Sequence, residues 1–381
     1  MSESLRDLFL LEQDVVFLNH GSFGACPKPV FEKYQEWQLR LERQPVHFFA
    51  RVLRPALVET RSILAEYLGA RTDCVVPVTN ATFGVNVIAK SLKLEPGDEI
   101  LSNEHEYGAC VRAWQRVCEK TGAVYVSAPI PDPIESLEHI AEAIWSQVTD
   151  RTKVLFISHI TSPSGIVFPA EELGRRARER GILVVVDGAH APSQVPLDLA
   201  NFPCDFYTGN CHKWLCAPKG TGFLFTQPDK KDLIEPLVVS WGNNNPDVPK
   251  DPYVDELQFF GTHDPSAFLT VPAAIEFQKE HDWDSVRARC QEMVRWVKDE
   301  LESLPNVRPW YPTDSSMQKQ MTSVKLPGKD GTEVYKYLMD EYKIEIPSFT
   351  LNGETVLRVS VQGYTTQRDL ETLVEAVRRL G

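Results

Sequence analysis

Thr208-Gly209-Asn210-Cys211-His212-Lys213-Trp214-Leu215 decides how this chain reads. One lysine stands between a histidine and a tryptophan, just past the apolar run 204–207. The small residues Gly220-Thr221-Gly222 come next. Upstream, Val184-Val185-Val186-Asp187-Gly188-Ala189-His190 is an apolar strand that ends on an aspartate. Working back from these two strands, the chain alternates. Short apolar strands are expected at 75–78, 99–101, 123–126, 153–157 and 182–186. Helical spacing fills the intervals at 82–92, 107–120, 134–148 and 170–180. Repeated β-α-β units with apolar strands imply an α/β fold: a mostly parallel central sheet with helices on both faces. Ligands gather at the carboxyl ends of strands in such sheets. Thr79, His159, Asp187 and Thr208 all fall at expected strand ends, which points to one shared site.

The flanks are read the same way. Residues 17–26 form an extended entry segment with glycine turns. Residues 29–43 have helical spacing, with Val30, Tyr34, Trp37 and Leu41 on one side. A helix over 55–68 opens on Pro55 and closes at Gly69. Residues 240–261 are rich in Asn, Pro and Asp and read as a long loop. Helices at 265–280, 284–304, 333–342 and 367–380, with strands at 322–326, 344–346 and 356–360, make an α+β tail. The expected organisation is an N-terminal helical arm (1–16), a large α/β domain (17–265) and a smaller α+β C-terminal domain (266–381).

Composition sets outer limits. A chain of 381 residues can bury a large core. A net charge of −13 argues against nucleic acid or an anionic membrane as the main partner. No stretch approaches the roughly 20 apolar residues of a membrane span. Eight cysteines show no CxxC pair, which implies reduced thiols and a cytoplasmic protein. Cys211, His212 and Cys216 lack a second pair of ligands, so no metal site is expected.

Asp187 and Lys213 suit pyridoxal 5'-phosphate. A lysine forms an imine with its aldehyde. A carboxylate keeps its ring nitrogen protonated, so the ring accepts electrons from a substrate carbanion. Burial beside cationic or apolar groups would keep Lys213 neutral enough to attack a carbonyl. Asn80-Ala81-Thr82 opens a helix whose N–H groups, with the Thr82 hydroxyl, suit a phosphate. No G-x-G-x-x-G follows an expected strand, so a dinucleotide site is not expected. The pairs Glu104/Glu106 and Glu171/Glu172 read as solvated helix ends.

Asp187-Gly188-Ala189-His190 and Asn210–Leu215 together resemble the class V aminotransferase-fold enzymes (fold type I). These include cysteine desulfurases, C–S lyases and isopenicillin N epimerase. Leu18-Asn19-His20-Gly21-Ser22-Phe23-Gly24 and Gly261-Thr262-His263-Asp264 resemble the epimerase branch in particular. The resemblance runs from about Phe17 to the C-terminus. It implies that Lys213 is the imine lysine and the base, and that Asp187 pairs with the ring nitrogen. It implies that His190 sits at the cofactor's phenolic side and that Tyr107 stacks on the ring, with His105 a rival. Ala81, Thr82, Asn210 and His212 would hold the phosphate. Thr262 would reach it from a neighbouring subunit, which implies a homodimer with shared sites. Arg358 would hold a substrate α-carboxylate. Asn19, His20 and Ser162 would line the substrate side.

The substrate class is a small amino acid whose Cα proton becomes acidic on the cofactor. Epimerisation needs a second acid, for which Tyr107 or His20 are candidates. β-Elimination needs one base and a leaving group on Cβ. Transamination needs proton delivery by Lys213. Desulfuration needs a thiolate in the C-terminal part, and residues 291–381 contain no cysteine. An isopenicillin N epimerase-like epimerase is the first reading and a C–S lyase the alternative.

Overall fold

The computed structural model describes residues 4–243, 251–314 and 316–380. The chain opens with a single 3-10 turn, Arg6–Leu8. Strand β1 (Val16–Phe17) and the one-turn helix α1 (His20–Phe23) follow, then α2 (Lys28–Arg43), α3 (Pro45–His47) and α4 (Leu53–Tyr67). The alternating region runs β2 (Val75–Val78), α5 (Ala81–Ser91), β3 (Glu99–Asn103), α6 (Gly108–Thr121), β4 (Val124–Ala128) and α7 (Leu137–Trp145). It continues with β5 (Thr152–Ser158), α8 (Ala170–Glu179), β6 (Leu183–Gly188), β7 (Phe206–Asn210) and β8 (Gly222–Thr226). Helices α9 (Pro252–Leu257), α10 (Ser266–Leu269), α11 (Val271–Glu280) and α12 (Trp283–Glu302) lead out of the sheet. The C-terminal part is β9 (Met321–Leu326), α13 (Gly331–Tyr342), β10 (Ile344–Glu345), β11 (Ser348–Leu351), β12 (Glu354–Ser360) and α14 (Gln367–Arg379).

The central sheet has the order β2-β8-β7-β6-β5-β3-β4. The pairs β7-β6, β6-β5, β5-β3 and β3-β4 are parallel, and only β8 runs against the rest. Alternation along β6 shows why both faces are covered. Val184 and Val186 join one apolar cluster, and Val185 joins the other. The second sheet, β11-β12-β9, is antiparallel.

Several expectations differ from what is found. Among the described residues 4–16, the N-terminal arm is not helical beyond its one 3-10 turn, because it spends its groups on the C-terminal part. Leu5 N–H donates to the Gly363 carbonyl, Phe9 packs on Tyr364, and β1 pairs with β10. The supposedly extended segment 17–26 contains α1. Strands β8 and β11 stand where the sequence pattern predicts none. The long loop at 240–261 contains a 3-10 turn (Trp241–Asn243) and α9, which Asp251 caps by accepting from Val254 N–H. Residues 244–250 of that expected loop lie outside the described residues. Among the described residues no helix is long and apolar enough to cross a membrane.

Candidate active site

A cavity of about 240 Å³ opens at the carboxyl ends of β5 and β6. Ala81, Thr82, Tyr107, Ser162, Asp187, His190, Asn210, His212 and Lys213 all line it. Strand periodicity places Asp187 on the face shared by Val185, and there the thiol of Cys110 on α6 donates to Asp187 Oδ2 at 3.4 Å. Ala189 N–H donates to the other carboxylate oxygen at 2.9 Å. Burial pushes the Asp187 pKa up, and the Ala189 N–H opposes that shift by holding the charged form.

One end of the cavity is the first turn of α5. Asn80 Oδ1 accepts from Phe83 N–H at 2.9 Å, and Asn210 Oδ1 accepts from Ala81 N–H at 2.8 Å. Asn210 ends β7, so the sheet itself holds this helix start in place. The positive end of the helix dipole and the Thr82 hydroxyl make an anion-favouring pole. His212 Nδ1–H donates to the Thr221 carbonyl at 2.8 Å.

The protonation of Lys213 follows from its neighbours. Trp214 Nε1–H can only donate, and it donates to His190 Nδ1 at 3.2 Å. Burial lowers the His190 pKa, so the ring is neutral and carries its proton on Nε2. That Nε2–H faces Lys213 Nζ at 3.1 Å, which makes the amine the acceptor. An amine can accept only when it is unprotonated. Burial, reinforced by the Arg358 charge, brings the Lys213 pKa down to about 7.

Tyr107 stands immediately before α6 and is 47% exposed where it lines the cavity. Its rival His105 points elsewhere: it is buried, bonds Ser164 Oγ at 3.2 Å and packs against Trp310. Arg358 lies behind the cavity wall. Its Nη1–H groups donate to the Ser162 carbonyl at 2.6 Å and to Ser162 Oγ at 3.3 Å, and Nη2–H donates to Ser22 Oγ at 3.1 Å. Among the described residues no carboxylate pairs with it, and its buried Nε–H has no partner. Burial lowers its pKa to about 10.

Some expected residues stand outside the cavity lining. His20 is fully buried behind the lysine, with both ring nitrogens engaged. Asn19 accepts from Ser22 Oγ at 2.5 Å and does not itself line the cavity. Thr262 is exposed and away from this chain's cavity. Of the four strand-end residues, Thr79 and Asp187 line the cavity. His159 turns to the other face, where Nδ1 bonds Tyr207 Oη at 2.9 Å, and Thr208 sits mid-strand, donating to the Phe223 carbonyl. Glu106 is not solvated either. It is buried beneath the site, accepting from Ser158 N–H at 2.7 Å and Asn103 Nδ2–H at 2.6 Å, and burial raises its pKa to about 8. Ser22 and Phe23, which the sequence offers only as part of a motif, both line the cavity. Their signal lay in the Asn19–Gly24 motif, whose small residues allow a tight turn.

The class-V aminotransferase model matches residues 17–373. The chain belongs to the class-V aminotransferase family. An isopenicillin N epimerase of Amycolatopsis lactamdurans is 36% identical over 98% of this chain and 97% of its own length. An L-cysteine desulfhydrase of Arabidopsis thaliana is 28% identical over 96% of this chain and 88% of its own. The apo cysteine desulfurase of Thermococcus onnurineus NA1 superposes with a TM-score of 0.84 at 21% identity, covering 100% of this chain and 98% of that one, which shows the shared fold. As a class-V aminotransferase relative, this chain takes pyridoxal 5'-phosphate as its cofactor. The donors of the cavity fit that group: a buried carboxylate, a neutral amine and a helix N-terminus with a hydroxyl share one space.

Proposed function

We propose that this enzyme inverts the Cα of an amino acid, as an epimerase of the isopenicillin N epimerase type. When bound, pyridoxal 5'-phosphate supplies an aldehyde for a lysine and an electron-accepting ring. In this reading Lys213 is the attachment point and moves the Cα proton. Asp187 holds the proton of the ring nitrogen, and His190 meets the phenolic side. Ala81, Thr82, Asn210 and His212 hold the phosphate, and Thr262 of a second copy completes that end in a homodimer. Arg358, presented by Ser22 and Ser162, binds the substrate α-carboxylate. Its buried charge without a carboxylate is the condition in which a two-pronged anion contact is worth most.

One observation carries the choice of epimerisation. Lys213 enters the cavity after β7 and Tyr107 enters it after β3, with β6 and β5 lying between them in the sheet. A neutral amine and a phenol are thus carried into one space by strands on either side of β6 and β5, a pairing that favours removal and return of a proton by two separate groups. The similarity to an isopenicillin N epimerase supports the same reading.

The second reading is a C–S lyase, favoured by the similarity to an L-cysteine desulfhydrase. It needs Lys213 and a leaving group on Cβ, and Tyr107 becomes dispensable for proton return. Desulfuration has less support, since Cys290 is buried within α12 and no cysteine lines the cavity among the described residues.

The test is incubation of the loaded enzyme with amino acids in deuterium oxide. Deuterium at Cα with inversion, and no pyruvate or ammonia, is the expected result. Release of pyruvate and ammonia from cysteine-type substrates would replace the epimerase with the lyase. Tyr107→Phe sharpens this: inversion should be lost while exchange at Cα persists.

A further inference from the structure

His20 looks like a substrate residue from the sequence, and its surroundings assign it other work. Its ring is fully buried and does not line the cavity. It lies against the indole of Trp214, with centroids 4.9 Å apart. Its Nε2 is 3.0 Å from the main-chain carbonyl of Lys213. A carbonyl only accepts, so Nε2 carries the proton. Burial brings the ring's pKa down to about 3, so the ring is neutral and Nδ1 is an acceptor. Nδ1 lies 3.0 Å from Tyr364 Oη, which must therefore donate to it. Gln362 Nε2 stands 3.3 Å from His20 Nε2, but with both groups donors it cannot be the partner that sets the tautomer.

The backbone around His20 is built for the same contact. Gly24 has φ +71°, and a Cβ there would lie 2.0 Å from the His212 carbonyl oxygen. The α1 turn therefore rests directly on the lysine loop, with no space for a side chain. The other side of the turn faces the C-terminal part: Gly21 N–H donates to Ser360 Oγ at 3.2 Å, and Ser22 receives Arg358.

We propose that His20 is a positioning residue: the chain Tyr364 O–H to His20 to the Lys213 carbonyl fixes where the lysine's main chain sits, and His20 exchanges no proton with substrate. This rests on the reading of Lys213 as the attachment lysine. A lysine whose Cα is displaced by a fraction of an ångström presents its amine poorly, and such misplacements are costly in rate.

The test uses His20→Leu, His20→Gln and Tyr364→Phe in the full chain. The Gln amide offers an acceptor and a donor with a spacing close to that of the two ring nitrogens, so it can bridge the same two groups. The first readout is the rate at which apoprotein attaches pyridoxal 5'-phosphate, followed by absorbance and by borohydride trapping with the labelled peptide identified. The second is the pH profile of turnover. His20→Leu should attach the cofactor about tenfold to a hundredfold more slowly. His20→Gln should recover to within about threefold of the parent, and Tyr364→Phe should fall about threefold to tenfold, with the pH profile unchanged in both. If His20→Leu attaches cofactor at the parental rate, the inference is overturned. If His20→Gln loses turnover together with one limb of the pH profile, His20 is an acid and the inference is overturned as well. Should His20→Leu not fold, the other two variants decide by these criteria. A borohydride label on a lysine other than Lys213 would instead remove the reading of the site itself.

Discussion

Two buried cations sit on neighbouring strands of the same small sheet, Arg358 on β12 and Lys325 on β9. Both are 2% exposed and both lie over an aromatic ring, Arg358 over Phe349 and Lys325 over Trp310, yet their polar partners differ. Lys325 Nζ meets Asp132 at 2.5 Å and Glu354 at 2.9 Å and lies over the Trp310 ring, and Arg308 joins the same two carboxylates. Arg358 has serine oxygens and one carbonyl, no carboxylate among the described residues, and an unpartnered Nε–H. A buried charge costs free energy unless it is paired. Lys325 is paired by the protein, and its role ends with structure. Arg358 has no carboxylate among the described residues, which is the observation behind its proposed contact with a substrate carboxylate.

The largest expected effect breaks the comparison on the arginine side. Arg358→Ala should lower kcat/KM about a hundredfold to a thousandfold for substrates with a free α-carboxylate, in line with the cost of losing one partner of a buried charged contact. Carboxamide analogues should be handled alike by parent and variant. Equal losses for both in steady-state kinetics would mean that Arg358 serves the fold and not the carboxylate.

Lys325→Met comes next and should do the reverse. It keeps the stem's volume over Trp310 and removes the charge, leaving Asp132 and Glu354 with Arg308 alone. A stability loss of about 1–3 kcal/mol in denaturant unfolding is expected, with KM unchanged. A raised KM would show that the two cations are coupled and that the contrast is false.

The carboxylates of the structural cluster add a pH signature. Hydrogen bonding from Arg308 holds Asp132 down at about 2, and the same guanidinium lowers Glu354. A depressed carboxylate contributes stability that is complete above its unfolded pKa of about 4 and is lost as pH falls through its folded value. The Tm gap between the parent and Asp132→Asn should therefore close between about pH 4 and about pH 2. A gap that persists at about pH 2 would mean that Asp132 acts through packing instead of charge.

The same contrast separates what is local in the sequence from what is not. The strand pattern of 182–186 and the motifs around Asp187 and Lys213 are local, so their periodicity and order carried both the sheet and the lysine–aspartate pair. The cluster of Asp132, Arg308, Lys325 and Glu354 spans both ends of the chain, and nothing local marks it. The surroundings of His20 are hidden for the same reason: its partner Tyr364 is 344 residues away, and a histidine beside asparagine and serine looks like a binding residue. Glu106 looked solvated because its partner Ser158 comes from β5, far along the chain. α9 was readable in principle. Asp251-Pro252 is a capping residue followed by proline at the first helical position, but the surrounding Asn and Pro residues outweighed it.

The smallest expected effect concerns how Arg358 is presented. Ser22 Oγ donates to Asn19 Oδ1 and accepts from Arg358 Nη2, so it orients one prong of the guanidinium fork. Ser22→Ala removes that acceptor and leaves Asn19 Oδ1 without the serine's proton. One hydrogen bond to a guanidinium is at stake, so KM for a free-carboxylate substrate should rise about threefold to tenfold while kcat holds. A KM that falls instead would be informative in the other direction. Ser22 would then compete with substrate for the guanidinium, and Arg358 would be partly satisfied by the protein. That would place it nearer to Lys325 than the contrast allows.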